Sequence, residues 1–155
     1  MFDSQFVDAP PFLGLPPGTI PSQAVPTAVA KGPDGAYYVS QLTGFPFPPG
    51  TASILRVVPG SAPTIYASGL TNVTDLDFGR DGSLYVVEIS KAGLLNEASE
   101  VDSVGDVIRI ARNGRRKVVA DNLASPYGVA AGRRGEVYVT THSTAAGAGE
   151  VLRLG

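Results

Sequence analysis

The most regular feature of the chain is a short hairpin pattern that occurs three times. At residues 79–88, Gly-Arg-Asp-Gly-Ser is followed by Leu-Tyr-Val-Val-Glu, so a glycine turn leads directly into β-branched and aromatic residues. Asp81-Gly82 tolerates the positive φ of a tight turn, and residues 73–78 supply the incoming strand. The same arrangement occurs at residues 28–39 and 128–139. The pattern therefore predicts an all-β protein built from repeated hairpins.

The spacing of the hairpins predicts repeated four-stranded sheets. The turn glycines Gly35, Gly82 and Gly135 are separated by 47 and 53 residues. Each repeat also has a later strand in which an arginine lies between two apolar residues, at residues 55–57, 108–110 and 152–154. Four short strands per repeat with this period are typical of β-propeller blades. We therefore expect three four-stranded blades, half of a six-bladed ring, and the alternative is a β-sandwich of about eleven strands.

The predicted strands follow the alternation within each repeat. They cover residues 27–30, 36–40, 53–58 and 63–67, then 73–78, 84–88, 106–111 and 116–120, then 127–131, 137–141 and 150–154. The third repeat therefore has no predicted fourth strand, which would leave an unpaired sheet edge.

Residues 1–24 are predicted to lie outside the repeats, which occupy residues 25–155. Two pairs of adjacent prolines exclude a helix or a central strand there, so we expect an extended connector. Residues 2–7 are the exception, because they can form a short edge strand. We expect them to pair with residues 150–154 and to complete the third blade.

Three blades do not make a closed ring. Propellers close with about four to eight blades, so a half-ring leaves two apolar blade faces in water. Two copies that meet end to end would give a closed dimer of about six blades. The alternative is that the chain is half of a longer protein, and in both cases we expect an isolated monomer to be poorly stable.

Composition and charge narrow the range of partners. The net charge is −2 and 17% of residues are charged, so the sequence does not predict the basic surface that nucleic acid requires. Cysteine is absent, which excludes disulfides and thiolate chemistry. No segment reaches the roughly 18 apolar residues of a membrane span, and the first residues lack the pattern of a signal peptide. These features suit either a cytoplasmic protein or the mature part of an exported one.

Three segments carry a family resemblance. They are Gln-Leu-Thr-Gly-Phe-Pro-Phe-Pro-Pro-Gly at residues 41–50, the hairpin at residues 75–88, and Gly-Glu-Val-Leu-Arg at residues 149–153. With them, residues 25–155 resemble the C-terminal half of the ScyD/ScyE family of β-propeller proteins, named for a cyanobacterial pigment gene cluster. The resemblance implies a six-bladed NHL-like ring and an accessory role. It also implies a periplasmic or extracellular location, because full-length members generally carry an export signal.

Propeller geometry predicts that one face of the protein binds ligands. The first strand of each repeat begins, and the second ends, at the same face, which brings together Thr27, Gln41, Asp75, Glu88, Tyr127 and Thr141. The loops at residues 42–52, 89–105 and 143–149 lie there too, and their lengths differ. Length variation confined to one face usually marks the binding face of a repeat protein.

The acidic residues of this face suggest a cation site. Asp75, Asp77 and Glu88 supply the oxygen ligands that Ca²⁺ or another divalent cation prefers, with Asp75 and Glu88 as the candidate metal ligands. Such an ion polarises a carbonyl in lactonase-type propellers. Because only one repeat supplies carboxylates here, we favour the alternative that Asp75 and Glu88 cap strand ends or pair with Arg109.

Other side chains give weaker signals. Phe45 and Phe47 form either an aromatic wall for a planar or apolar ligand or a seal between blades. His142, the only histidine, is a candidate general base, although a loop histidine without a catalytic role is favoured. One further group is interpreted as a solvated acidic loop: Glu97, Glu100, Asp102 and Asp106. The repeated tyrosines are interpreted as blade core: Tyr38, Tyr85 and Tyr138.

These observations support two hypotheses about function. The first is an exported, non-catalytic scaffold that holds a small molecule or a protein on one propeller face. The alternative is a divalent-metal-dependent hydrolase or lactonase of the SMP-30/NHL-like type. No residue is assigned a catalytic role.

Overall fold

The computed structural model describes residues 2–95 and 103–155. These residues form thirteen strands in four antiparallel sheets, together with one turn of 3-10 helix at Pro11–Leu13. The prediction of an all-β protein is therefore confirmed. Within the described ranges, no helix has the length and apolar character needed to cross a membrane.

Three of the sheets follow the three sequence repeats, and a hairpin precedes them. The N-terminal hairpin pairs β1 (Gln5–Asp8) with β2 (Thr19–Ser22). The strands of the repeats, which pair in chain order within each sheet, have the following bounds. Sheet 1 contains β3 (Pro26–Lys31), β4 (Tyr37–Gln41), β5 (Ala52–Val57) and β6 (Thr64–Leu70). Sheet 2 contains β7 (Val73–Phe78), β8 (Leu84–Glu88), β9 (Val104–Ile110) and β10 (Arg116–Ala124), and sheet 3 contains β11 (Val129–Ala131), β12 (Val137–Thr141) and β13 (Glu150–Leu154).

The repeated hairpins form because each turn has a glycine where a positive φ is needed. Gly35, Gly82 and Gly135 have φ values of +82°, +76° and +90°. The amide of each glycine donates to the carbonyl oxygen three residues earlier, at 2.8 to 3.1 Å. A side chain at these positions would be strained, since L-residues rarely adopt this conformation.

The core lies in two layers, between sheets 1 and 2 and between sheets 2 and 3. One cluster joins Tyr38 and Ile54 of sheet 1 to Leu76 and Val86 of sheet 2. A second cluster joins the other face of sheet 2 to sheet 3, and its buried members are Val87, Val107, Val129, Val137 and Val139. The first strands of the sheets are also neighbours, with β3 beside β7 and β7 beside β11. Sheet 2 is thus covered by another sheet on both faces, and sheets 1 and 3 are each covered by another sheet on one. Beside the other face of sheet 1, residues 2–5 of the N-terminal segment line a cavity with Gln41, Leu55 and Ile65.

The face of sheet 1 that no other sheet covers carries a row of apolar residues. Val29, Val39, Leu55 and Ile65 are cross-strand neighbours in successive strands. Val29 and Ile65 are 63% and 69% exposed, whereas Leu76, which occupies the position of Val29 in the next repeat, is only 3% exposed. The uncovered face of sheet 3 likewise exposes Tyr138 and Val151. Tyr138 is therefore not a core residue, which corrects the expectation for the third of the repeated tyrosines.

The N-terminal segment and the third sheet differ from the prediction. Sheet 3 has three strands and not four, and β1 does not pair with β13 as expected for residues 2–7. The chain reverses after Pro11–Leu13, where Gly14 has a φ of +63°, so that β2 returns alongside β1. Pro21 is tolerated in β2 because both strands of a two-stranded sheet are edge strands. Residues 2–24 are therefore more structured than an extended connector.

Candidate functional site

The ends of the sheets can be told apart by their connections. We call the end at which β3, β7 and β11 begin the loop end, because the long connections lie there, and the opposite end the turn end. Pro26 is opposite Gln41 and Val73 is opposite Glu88 in the sheet register. The Tyr127 amide donates to the carbonyl oxygen of Thr140 at 3.0 Å, next to Thr141. The register therefore puts these predicted ligand-face residues at the loop end.

Hydroxyl groups at the loop end connect neighbouring sheets. Thr27 Oγ1 donates to the carbonyl oxygen of Val73 at 2.9 Å, and Thr74 Oγ1 donates to that of Tyr127 at 2.7 Å. Thr27 and Thr74 occupy the same position in their repeats, eight residues before the turn glycine. Thr27 therefore has a structural contact. Gln41 and Thr141 are buried, so neither offers its side chain to a large ligand.

The carboxylates of β7 connect sheet 2 to sheet 3. Asp75 Oδ2 accepts the amide of Val129, and Asp77 Oδ2 accepts the amide of Ala131, both at 2.8 Å. Two β11 amides that face sheet 2 are satisfied in this way. Arg109 pairs with Asp81 at 2.5 Å, and not with Asp75 or Glu88.

Glu88 lies on the opposite face of sheet 2 from Asp75. Asp75 is opposite Val87, which faces sheet 3, and Glu88 is opposite Val73, which faces sheet 1. The structure therefore does not bring the two candidate metal ligands together. In the described part of the chain, no group of three or more His, Cys, Asp or Glu residues is arranged to hold a metal ion.

Glu88 instead forms a buried pair with Asp106, which is its cross-strand neighbour in β9. Glu88 Oε1 accepts the Thr71 amide at 2.7 Å, and Asp106 Oδ1 has no hydrogen-bond partner among the described residues. Burial raises the pKa of Glu88 to about 7 and that of Asp106 to about 6. The sequence pattern did not predict this pair, because Asp106 was grouped with Glu97, Glu100 and Asp102 as one acidic loop. Those three residues lie outside the described residues. The signal that reveals the pair is the hairpin register, which puts Glu88 opposite Asp106.

Three phenylalanines form an exposed aromatic surface at the loop end. Phe45 contacts Phe12 edge to face at 6.4 Å between ring centroids and Phe47 at 6.3 Å. Phe12 is 64% exposed and Phe45 is 43% exposed. Phe45 therefore does not seal one sheet against another. Phe12 comes from the 3-10 turn of the N-terminal segment, which sequence reasoning did not connect with this site.

The loop that carries Phe45 and Phe47 is held at several points. The Gly44 amide donates to the carbonyl oxygen of Gln23 at 2.8 Å, and Ser22 Oγ donates to that of Gly44 at 2.9 Å. Asn72, which is fully buried, donates to the Leu42 carbonyl oxygen at 3.1 Å. The end of the N-terminal hairpin and the connection between β6 and β7 thus both fix this loop.

The same loop has a strained backbone. Thr43 has a φ of +71° and Phe47 a φ of +57°, in the left-handed region that favours glycine. Such conformations cost of order 1 to 3 kcal/mol each and persist where the surrounding structure imposes them, often at functional sites. Thr43 is also buried, and its Oγ1 has no hydrogen-bond partner within the described ranges.

The remaining candidate, His142, is half-buried in a turn with a φ of +55°. Its Nδ1 lies 3.3 Å from Thr141 Oγ1, and its amide donates to the Ala124 carbonyl oxygen at 2.7 Å. No carboxylate oxygen of the described residues lies within 4 Å of the ring nitrogens. Tyr127, which follows β10 and completes the predicted ligand face, is 51% exposed.

Comparison with known proteins adds no further constraint on this site. No protein-family model matches the chain, and no curated protein matches it. The function is therefore inferred from the geometry above.

Proposed function

We propose that this protein is a non-catalytic binding scaffold that holds an apolar or aromatic ligand, or an apolar segment of a protein, on the aromatic surface of Phe12, Phe45 and Phe47. The observation that carries the proposal is that this surface is exposed while the loop beneath it is both anchored and strained. Aromatic rings held in advance lose little conformational entropy on binding, which favours a role in recognition.

The other residues of the predicted face support a scaffold better than an enzyme. Thr27 and Asp75 are engaged in contacts between sheets, and Glu88 is buried on a different face of the sheet from Asp75. A hydrolase that uses a divalent cation at Asp75 and Glu88 requires the two carboxylates to converge. This arrangement is not available without a change in the register of β7 and β8.

We further propose that sheets 1 to 3 are propeller blades and that a second copy of the chain completes the ring. The exposed face of sheet 1 corresponds to the face of sheet 2 that packs against sheet 1 and to the face of sheet 3 that packs against sheet 2. The exposed face of sheet 3 corresponds to the faces of sheets 1 and 2 that pack against the next sheet. One chain therefore presents both partners of an interface that it already uses twice. The ScyD/ScyE resemblance of residues 25–155 agrees with this arrangement and is our reason for proposing a periplasmic or extracellular location.

Binding of a simple aromatic probe tests the scaffold proposal. Indole is titrated into the protein while the aromatic resonances of Phe12, Phe45 and Phe47 are followed by NMR. We expect saturable shifts at these rings, and Phe45→Ala should weaken binding at least about fivefold. Ile65→Ala, which removes an exposed apolar side chain elsewhere, should leave binding unchanged. Equal loss in both variants, or no shift at the phenylalanines, would contradict the proposal.

A further inference from the structure

The outer strand of sheet 3 has the register of a third strand but lacks the neighbour that third strands have in sheets 1 and 2. Each of β5, β9 and β13 has an arginine opposite the repeated tyrosine: Arg56, Arg109 and Arg153. Two residues before this arginine, Ile54 and Val107 are fully buried, whereas Val151 of β13 is 68% exposed. No described strand lies along the other edge of β13. This edge therefore presents free backbone amides and carbonyl groups to a fourth strand.

The strand β2 occupies the place of a fourth strand in the order of the chain. β6 precedes the first strand of sheet 2, β10 precedes that of sheet 3, and β2 precedes that of sheet 1. One backbone hydrogen bond recurs at these junctions, from the residue after the second strand of a sheet to a carbonyl oxygen ahead of its first strand. The pairs are Leu42 with Val25, Ile89 with Asn72 and His142 with Ala124, at 2.7 to 3.2 Å. β2 is therefore joined to sheet 1 as β6 is joined to sheet 2.

The strand β1 fills the position of a third strand beside β2. Val7 is opposite Ile20, as Ile54 is opposite Ala67 in sheet 1. Each member of the first pair lies 47 residues before its counterpart in the second, which is also the separation of the first two turn glycines. Val7 is buried, as Ile54 is. The N-terminal hairpin thus resembles the outer half of a four-stranded sheet, with β1 in the position that β13 has in sheet 3.

Only one edge of β2 can accept a regular partner strand. The Ala9 amide donates to the carbonyl oxygen of Gly18 at 2.9 Å. Because backbone groups alternate along a strand, those of Ile20 and Ser22 are directed toward β1 as well. Pro21 is directed toward the opposite edge, where it has no amide to donate. Any incoming strand must therefore use the edge of β2 that β1 occupies.

We propose that β13 of a second copy displaces β1 and pairs with β2, in antiparallel orientation and with Val151 opposite Ile20. This inference rests on the proposed closed dimer, and it makes β1 a strand that opposes self-association of the free chain. Sheet 3 of each copy then has four strands, as sheets 1 and 2 do. The exchange replaces one set of backbone hydrogen bonds with another, so it is favoured by the burial of Val151 and of the open face of sheet 1. Residues 2–5, which lie beside that face, leave it together with β1.

A disulfide that locks β1 onto β2 tests the exchange, and the absence of cysteine from the sequence makes the lock specific. Val7→Cys and Ile20→Cys together place two cysteines on opposite residues, whose Cα atoms are about 5.5 Å apart in such a pair, within the range of a disulfide. We expect the oxidised variant to sediment as a monomer at concentrations where the wild type dimerises, and its reduction to restore the dimer. A locked variant that dimerises like the wild type would overturn the exchange and leave the proposed dimer intact.

A weakened β1 tests the same competition from the other side. Val7→Asp puts a charge into a buried position of β1 that is released in the dimer, so it should lower the dimer dissociation constant at least about tenfold. Phe6→Asp puts the same charge on an exposed neighbour and should stay within about twofold of the wild type. Unchanged or weaker association of Val7→Asp, or an equal effect in Phe6→Asp, would overturn the proposal. If the wild type is monomeric at every concentration, a dimer of Val7→Asp alone would still support the exchange, and a monomer would refute it.

Cross-linking between copies tests the register. Ile20→Cys and Val151→Cys together should give a disulfide-linked dimer on oxidation, detected by non-reducing electrophoresis. Ile20→Cys with Leu152→Cys is the matched control and should not cross-link, because successive side chains point to opposite faces of a sheet. Cross-linking of both pairs, or of neither pair at concentrations where the protein dimerises, would contradict the pairing of β13 with β2.

Discussion

Two faces built from the same sequence pattern have opposite environments in this protein. Leu76 and Val86 form a row in sheet 2 at the positions that Val29 and Val39 occupy in sheet 1. The row of sheet 2 is buried against sheet 1, whereas Val29 and Ile65 at the ends of the corresponding row are mostly exposed. The alternation along a strand specifies which side chains share a face. Whether that face is covered depends on the next sheet, so burial is a property of the array.

The covered interface between sheets 1 and 2 also contains the buried Glu88–Asp106 pair, and this gives the largest predicted effect. A carboxyl with a raised pKa in the folded state binds protons more tightly there than in the unfolded chain, so its contribution to stability is complete below pH 4 to 4.5. That contribution is lost as the pH rises through about 7 for Glu88 and about 6 for Asp106. Glu88→Gln should therefore be more stable than the wild type at pH 8, by about 2 to 3 kcal/mol, and nearly equal to it at pH 4.

Urea unfolding of both proteins between pH 4 and pH 8 measures this difference. Glu150→Gln, which changes an exposed carboxylate in the same way, serves as the control and should track the wild type. Asp81, whose pKa is lowered to about 2, loses its contribution only below pH 4 and does not interfere in this range. A Glu88→Gln protein with the pH dependence of the wild type would refute the buried carboxylate pair.

Three valines occupy the same position in the three repeats and test the comparison between covered and open faces. Val86 and Val139 are buried, and Val39 is partly exposed on the open face. Val86→Ala and Val139→Ala should each lower the free energy of unfolding by about 2 kcal/mol, through lost burial and a residual cavity. Val39→Ala should cost less than about 1 kcal/mol at concentrations where the chain is monomeric. Three equal losses would mean that sheet 1 is covered within the single chain.

A pair of threonines gives the smallest predicted effect. Thr27→Val removes a hydroxyl that donates to Val73 across the covered interface and should destabilise the protein by about 1 kcal/mol. Thr43→Val removes a buried hydroxyl without a partner among the described residues, so it should be neutral or slightly stabilising. Thermal unfolding of the two variants distinguishes these outcomes, and an equal loss in both would show that Thr43 has a hydrogen bond.

Much of the fold is predictable because its determinants are local. The bounds of β7, β8 and β12 match the alternation and the glycine turns that precede or follow them. The N-terminal hairpin was not predicted, because prolines disfavour central strands but are tolerated in an isolated pair of edge strands. The number of strands in sheet 3 could not be inferred from the repeat pattern either, since it depends on whether β1 pairs with β13 or with β2.

The candidate site was less predictable, because its contacts join distant parts of the chain. Phe12 meets Phe45 only through the reversal of the N-terminal segment, and the amides that donate to Asp75 and Asp77 lie in the next repeat. Glu88 and Asp106 were both visible as charged residues, yet their pairing follows from strand register and not from composition.

The mass of the protein in solution tests most directly the claim that the open faces of sheets 1 and 3 are partners. Sedimentation velocity should give twice the chain mass of 16.0 kDa at high concentration. Ile65→Asp and Val151→Asp, on the two open faces, should each give the monomer mass, and Phe6→Asp on the exposed N-terminal hairpin should not. A monomer at every concentration, or a dimer that survives both substitutions on the open faces, would contradict the account.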